Sequence, residues 1–392
     1  MGTLYLSEIK KIIKKKSVLI SLAAGLLIIV LLIFTYISSD GHMDYIKKQR
    51  EVLGNLTGQK MDEEFFDNYN NEVNKQLDDN SDMYKALMAY DPGTAFMNAS
   101  DAVYKKNLFD QILDVVRERD KVSGTNAEQF YDMMRKNIID DGEKYLSVSA
   151  DDMEIWLEEY DSVEKPVTYT YALGYSNIVD VLYVVGWVLF IIIAISLSGV
   201  FADEKINRTD AIILSSRRGR APLCVAKILA GITVALAESV LIFGLCCLLI
   251  LSVYGFEGAD GVIQNIMPSS PWNITIGEMM RIYILLAVVT GILFAMSNML
   301  LSHLTKSPVI TMAVHSGILF GGLFSIPETM GIINKIWQLR PTLALYYATF
   351  LNTFRYGPFD NVQMSLIVYG LTAIIFMAVL IVSYRKSQVE SR

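Results

Sequence analysis

Six apolar stretches, at about 17–37, 179–201, 224–254, 282–303, 309–325 and 364–384, dominate this chain. A helix needs roughly 20 mainly apolar residues to cross a bilayer, within a range of about 17 to 25, and all six fall in or above that range. They predict an all-α polytopic membrane protein with six transmembrane helices. The fifth stretch sits at the short limit. It carries GILFGG (317–322), whose small residues four apart would let a neighbouring helix approach closely in lipid.

The first stretch follows Lys10, Lys11, Lys14, Lys15 and Lys16, the flank of a secretory leader as well as of a membrane helix. Only YISSDG follows it, without a small-x-small cleavage pattern, so a retained first helix is expected. Orientation comes from the basic connections. The N-terminal lysines, the link 202–227, Lys306, and the tail with Arg385, Lys386 and Arg392 all fall on one side of a six-span layout. Both termini are then cytoplasmic.

Composition divides in the same way. Charged residues are 19% of the 392, against roughly 25% in soluble domains, and they are unevenly placed. Residues 38–178 hold 29 acids and 15 bases, and the remainder 12 acids and 19 bases. The acidic segment is long enough for its own core and reads as a mainly helical extracellular domain between helices 1 and 2. Within it DNYNNEVNKQLDD, ASDAVYKKNLFDQILDVVRERD and NAEQFYDMMRKNIIDDGEKYL carry helical spacing, with Val103, Leu108, Ile112, Val115 and Val116 as one stripe. PVTYTYALGY (166–175) has β character. The acidity suits cationic peptides or metal ions, and equally a solvated surface. The divisions expected are 1–37, 38–178 and 179–392.

Three segments carry candidate mechanism. In LYLSEIKKIIKKK, Tyr5, Leu6, Ile9, Ile12 and Ile13 alternate with lysines as in a helix lying on the cytoplasmic interface, or in a plain basic flank. FADEKINRTDAIILSSRRGR (201–220) joins spans two and three. A helix over about 202–214 would put Ala202, Ile206, Thr209 and Ile213 on one face, with Glu204 and Arg208 placed for an i,i+4 pair. Gly219 then suits a helix end and Pro222 the first turn of the next helix. The connection 326–363, broken at Pro341, suggests two short helices forming a re-entrant hairpin between helices 5 and 6 (331–356), or an amphipathic helix on the surface. Glu238 and His315 lie inside spans, as a polar lining of a substrate or proton path or as interhelical hydrogen bonds.

The chain has no G-x-x-x-x-G-K-[ST] loop, H-E-x-x-H or G-x-S-x-G. Nor has it a basic, aromatic-interleaved surface for nucleic acid. The cysteines Cys224, Cys246 and Cys247 read as buried thiols. No catalytic residue, metal ligand or cofactor site is expected in this chain.

The stretch after span two resembles ABC-2 type transporter permeases. Their pattern of Phe-x-x-Glu, Leu-hydroxyl, basic turn and helix-opening Lys falls on Phe201 and Glu204, Leu214 and Ser215, Arg217 to Arg220, and Lys227. Arg208 precedes Thr209 where many members have glycine. The layout is similar to the branch with a large outer domain that includes sodium- and peptide-export permeases of Gram-positive bacteria. The resemblance implies a plasma-membrane permease subunit of an ATP-binding cassette exporter, moving a peptide, lipid-like molecule or ion. ATP and Mg²⁺ would belong to a separate ATPase subunit in two copies. A second permease subunit, identical or different, would complete the pathway among membrane lipids. Glu204, Arg208, Arg217, Arg218 and Arg220, within the coupling element 202–221, would meet the ATPase. A sensor or anchoring protein is the alternative.

Overall fold

A computed structural model describes residues 2–40, 43–68, 126–143, 148–209, 221–327 and 330–390. The stripe from Val103 to Val116, Ile213, Leu214, Ser215, Gly219 and the arginines Arg217, Arg218 and Arg220 lie outside the described residues.

The described chain is almost entirely helical. α1 (Gly2–Ile13) precedes the first long apolar helix α2 (Lys16–Asp40). α3 (Met43–Gly54), α4 (Glu63–Asn68), α5 (Ala127–Asp141) and α6 (Ala150–Asp161) belong to the acidic segment. α7 (Leu173–Leu197), short α8 (Ala202–Ile206), α9 (Ala221–Tyr254), α10 (Ile276–Thr305), α11 (Pro308–Gly321), α12 (Ile332–Trp337) and α13 (Asn361–Glu390) complete the order. The two-residue strands β1 (Arg355–Tyr356) and β2 (Phe359–Asp360) pair as an antiparallel hairpin just before α13.

Among the described residues five helices are long and apolar enough to cross a membrane: α2, α7, α9, α10 and α13. Helices α7, α9 and α10 pack against one another. Phe190 and Phe294 stack with centroids 4.0 Å apart, and the Met299 side chain packs directly over Gly231. Helices α2 and α13 instead turn apolar side chains outward, among them Phe34 (67% exposed) and Ile374 (57%). A bilayer, not water, is the solvent that suits such a surface.

The fifth apolar stretch departs from expectation. Helix α11 has 14 residues, about 21 Å at 1.5 Å per residue, short of a ~30 Å hydrocarbon core. It starts cleanly, with Ser307 as N-cap and Pro308 in the first turn, and stops at the Gly321–Gly322 pair. The carbonyl of Gly322 accepts from Arg340 Nε at 2.8 Å. Among the described residues the small-residue face meets no neighbour: a Cβ on Gly317 or Gly321 would have none within 4 Å.

The connection after α11 holds one short helix, α12, and two 3-10 turns at Pro341–Leu343 and Tyr347–Phe350, in place of the expected pair of helices. Pro341, lacking an N–H and fixing φ, prevents α12 from continuing. The segment reaches between the long helices. Leu345 packs over Gly186, Tyr346 lies 5.2 Å from the Tyr183 ring, and Tyr283 Oη donates to the Tyr346 carbonyl at 3.1 Å. Gly186 is 13 residues into α7, about 20 Å along its axis.

The acidic segment has its own core, including Leu53, Met61, Phe65, Phe66, Phe130, Met134 and Tyr160. Asn126 caps α5 by accepting from Gln129 N, so the helical reading of NAEQFYDMM holds. The β character of 166–175 becomes a short antiparallel pairing: Met61 N donates to Val167 O and Tyr169 N to Gln59 O, both at 2.8 Å. Tyr131 Oη locks that pairing, donating to Met61 O (3.0 Å) and accepting from Val167 N (2.7 Å). Burial pushes this phenol up to about 12, so it remains a donor throughout the physiological range. Trp156 Nε1 donates to Thr353 O at 2.8 Å, tying this domain to the connection beside β1.

The basic stretches meet at the opposite end of the bundle. Phe201 packs its ring against His303 (5.9 Å) and Tyr384 (5.8 Å), next to Lys306 and Arg385 in sequence.

Candidate functional site

The end of α7 is where the chain breaks for α8, and one side chain from α10 holds the break. Ser302 Oγ accepts from Phe201 N and Ala202 N, both at 3.1 Å, and donates to Ser198 O at 2.6 Å. It supplies in trans the cap that a helix start otherwise takes from its own preceding residue.

Helix α8 spans only 202–206, shorter than the expected 202–214, and its ending is well defined. Arg208 N donates to Lys205 O and Thr209 N to Glu204 O, the paired bonds of a Schellman stop. Arg208 sits at the left-handed position with φ +53°. That conformation favours glycine, the residue many ABC-2 permeases place there. The glycine substitution noted in the sequence therefore marks the helix stop, and Thr209 does not continue the face begun by Ala202 and Ile206.

The expected Glu204–Arg208 pair is replaced by a longer-range one. Glu204 Oε1 lies 2.8 Å from Lys227 Nζ, because Lys227 is six residues into α9 and faces α8 across the joint. Lys227 is 2% exposed. It also donates to Val200 O, lies 3.6 Å from Glu8 Oε2 and sits over the Phe201 ring at 5.1 Å. Thus Phe201, Glu204 and Lys227, noted separately along the sequence, converge on one ammonium group.

Glu8 was not singled out by sequence reasoning, although it is the one acid in residues 1–39. It lies on the α1 face that packs on α9, next to Tyr5, whose Oη is 2.9 Å from Thr233 Oγ1. Glu8 is 3% exposed, whereas Leu6 and Ile13 are 56% and 47% exposed and point away from the bundle. Lys11 pairs with Glu8 at 2.5 Å and Lys15 with Asp203 at 2.6 Å. A Cβ on Gly199 would fall 2.5 Å from Asp203 Oδ1 and 2.7 Å from Lys15 Nζ, so a larger residue there would displace the pair. Three acids and three lysines line a cleft of about 560 Å³ between α1, α8 and α9. The arrangement is charge-balanced, and the buried Lys227 joins α1, α8 and the start of α9 through Glu8 and Glu204.

Deeper in the bundle, Glu238 is 3% exposed and accepts from Ser196 Oγ at 2.5 Å, its Oε2 having no hydrogen-bond partner. His315 is fully buried with neither ring nitrogen hydrogen-bonded, 5.2 Å from the Phe294 ring. No hydrogen bond joins the two among the described residues. Sequence reasoning missed Asn298 and Thr290, both fully buried on α10 with unpartnered side-chain atoms. Uncharged residues inside apolar runs give no hydropathy signal. No cluster of His, Cys, Asp or Glu suited to a metal occurs among the described residues, and the three cysteines are free.

The sequence matches the family described as ABC-2 family transporter protein over residues 15–382. The chain belongs to that family. Comparison with curated proteins and with solved structures finds no match in either. As an ABC-2 family transporter it is a multi-pass membrane protein of a kind that works with a separate ATP-binding subunit. The match begins at Lys15, so it takes in every element of the joint except α1.

Proposed function

We propose that this ABC-2 chain is the permease subunit of an ATP-driven exporter, and that the joint of α1, α8 and the start of α9 is where the ATPase subunit engages it. The observation that carries this reading is the convergence of Glu8, Glu204 and Lys227. A buried ion-pair network resists shear, so a push on the 202–221 connection is delivered to α7 and α9 together. Glu204 acts from within the joint. Arg208, exposed at the helix stop, and Arg217, Arg218 and Arg220 supply the surface for the partner. The gathering of basic stretches at this end supports a cytoplasmic placement of both termini, with the acidic domain outside the plasma membrane.

ATP and Mg²⁺ belong to the partner, of which two copies serve two permease subunits. Ser196, Glu238, Thr290, Asn298 and His315 offer polar groups inside the bundle for a peptide, lipid-like molecule or ion to pass. The test is co-expression with the ABC ATPase encoded nearest to it. The account expects a stable complex in detergent and faster hydrolysis by the ATPase in that complex than alone. A complex that never forms, or hydrolysis that the chain does not alter, rules the reading out.

A further inference from the structure

Beneath the acidic domain a cavity of about 530 Å³ opens between Asp141 of α5, Arg340, Tyr346 and Tyr347 of the connection, and Asn361 and Tyr369 of α13. Small-molecule sites typically span about 300–1,000 Å³. A second cavity of about 260 Å³ shares Asp141, Tyr347 and Leu351 with it and is walled by Asp180.

Arg340 uses Nε on Gly322 O (2.8 Å) and Nη1 on Trp337 O (3.0 Å). Among the described residues no carboxylate lies within ion-pair distance of it. A guanidinium has five donors, so most of its fork remains available on the cavity wall. Asn361, 6% exposed, presents an Oδ1 without a hydrogen-bond partner. Such a buried acceptor costs free energy until a donor reaches it. The chain flanking Arg340 is apolar and outward-facing: Phe324 is 72% exposed, Ile332 73%, Ile333 53% and Ile336 62%.

A cation, an acceptor awaiting a donor, and an adjoining apolar face together describe a phospholipid. We propose that this cavity binds a phosphodiester headgroup bearing an N–H or O–H donor, with Arg340 pairing the phosphate and Asn361 Oδ1 accepting from the donor. The acyl chains lie along Phe324, Ile332, Ile333 and Ile336. The planar fork of arginine suits phosphate oxygens. A headgroup of the ethanolamine or glycerol type meets these demands; choline, which has no N–H or O–H donor, does not. Binding here does not depend on the coupling described above.

The test titrates the purified full-length chain, in detergent, with dihexanoyl phosphatidylethanolamine, phosphatidylglycerol and phosphatidylcholine. Glycerophosphoglycerol and inorganic phosphate are added in parallel, and binding is read by native mass spectrometry and by the thermal midpoint. The ethanolamine and glycerol lipids bind more tightly than the choline lipid, and Arg340→Gln weakens them about tenfold or more, the value of a charge-assisted hydrogen bond. Arg340-dependent binding of glycerophosphoglycerol supports the site with a water-soluble source. Arg340→Gln also releases Gly322, so Asn361→Leu serves as the second variant, and it abolishes the preference over choline. Equal binding of all three lipids, or a preference unchanged in Asn361→Leu, overturns the proposal. So does an apolar face occupied by a second copy of the chain with no lipid retained.

Discussion

Replacing Lys227 by methionine keeps the length and apolar stem of the side chain and deletes its charge. Glu8 (3% exposed) and Glu204, whose side chain is 14% exposed, then face each other across the joint with no buried cation between them. Glu8 retains Lys11, but that side chain is 58% exposed and weakly held. Removing one partner of a buried pair costs about 3–5 kcal/mol. At the low end for large domains, about 2 °C per kcal/mol, this lowers the thermal midpoint by about 6–10 °C. The assay is a thermal melt in one detergent, for wild type, Lys227→Met, and the triple variant Lys227→Met/Glu8→Gln/Glu204→Gln. The triple variant regains most of the loss, because neutral amides at Glu8 and Glu204 remove the stranded charges. A drop of under 1 kcal/mol in the single variant, the value of an exposed pair, refutes the buried network.

Other outcomes follow from individual contacts. Arg208→Gly relieves the left-handed backbone at the α8 stop and raises the melting midpoint by the equivalent of about 1 kcal/mol; an unchanged or lower midpoint contradicts that geometry. Tyr131→Phe leaves Met61 O and Val167 N without their shared hydroxyl and destabilises the acidic segment's core by about 1–3 kcal/mol, read as faster hydrogen exchange at 58–61 and 167–169. Glu238→Gln still accepts from Ser196 and preserves expression, while transport falls; normal transport in both Glu238→Gln and His315→Gln removes them from the path.

The long helices were legible because a bilayer imposes a length and a composition together, and both can be counted along one strand of sequence. Helix α11 strained that rule. Its mainly apolar stretch of 17 residues contains a glycine pair where the helix stops, and hydropathy does not register a stop. The 202–214 helix failed for a related reason. Apolar spacing through Ile213 suggested continuation, whereas Arg208 adopts a left-handed turn whose cause is local hydrogen bonding. Glu204 stands four residues before Arg208, the spacing of a helical pair. Lys227, 23 positions on, wins because burial strengthens attraction that solvent would screen. Glu8 was hidden among lysines. Only the packing of α1 on α9 shows that Glu8 faces the buried Lys227.

The central claim is tested most directly by ATP hydrolysis in the assembled complex, comparing wild type with the double variant Arg217→Glu/Arg218→Glu in identical nanodiscs. The account predicts that the variant melts at the wild-type temperature while hydrolysis coupled to the permease falls at least several-fold. Wild-type hydrolysis from a complex that still contains the charge-reversed chain would contradict it.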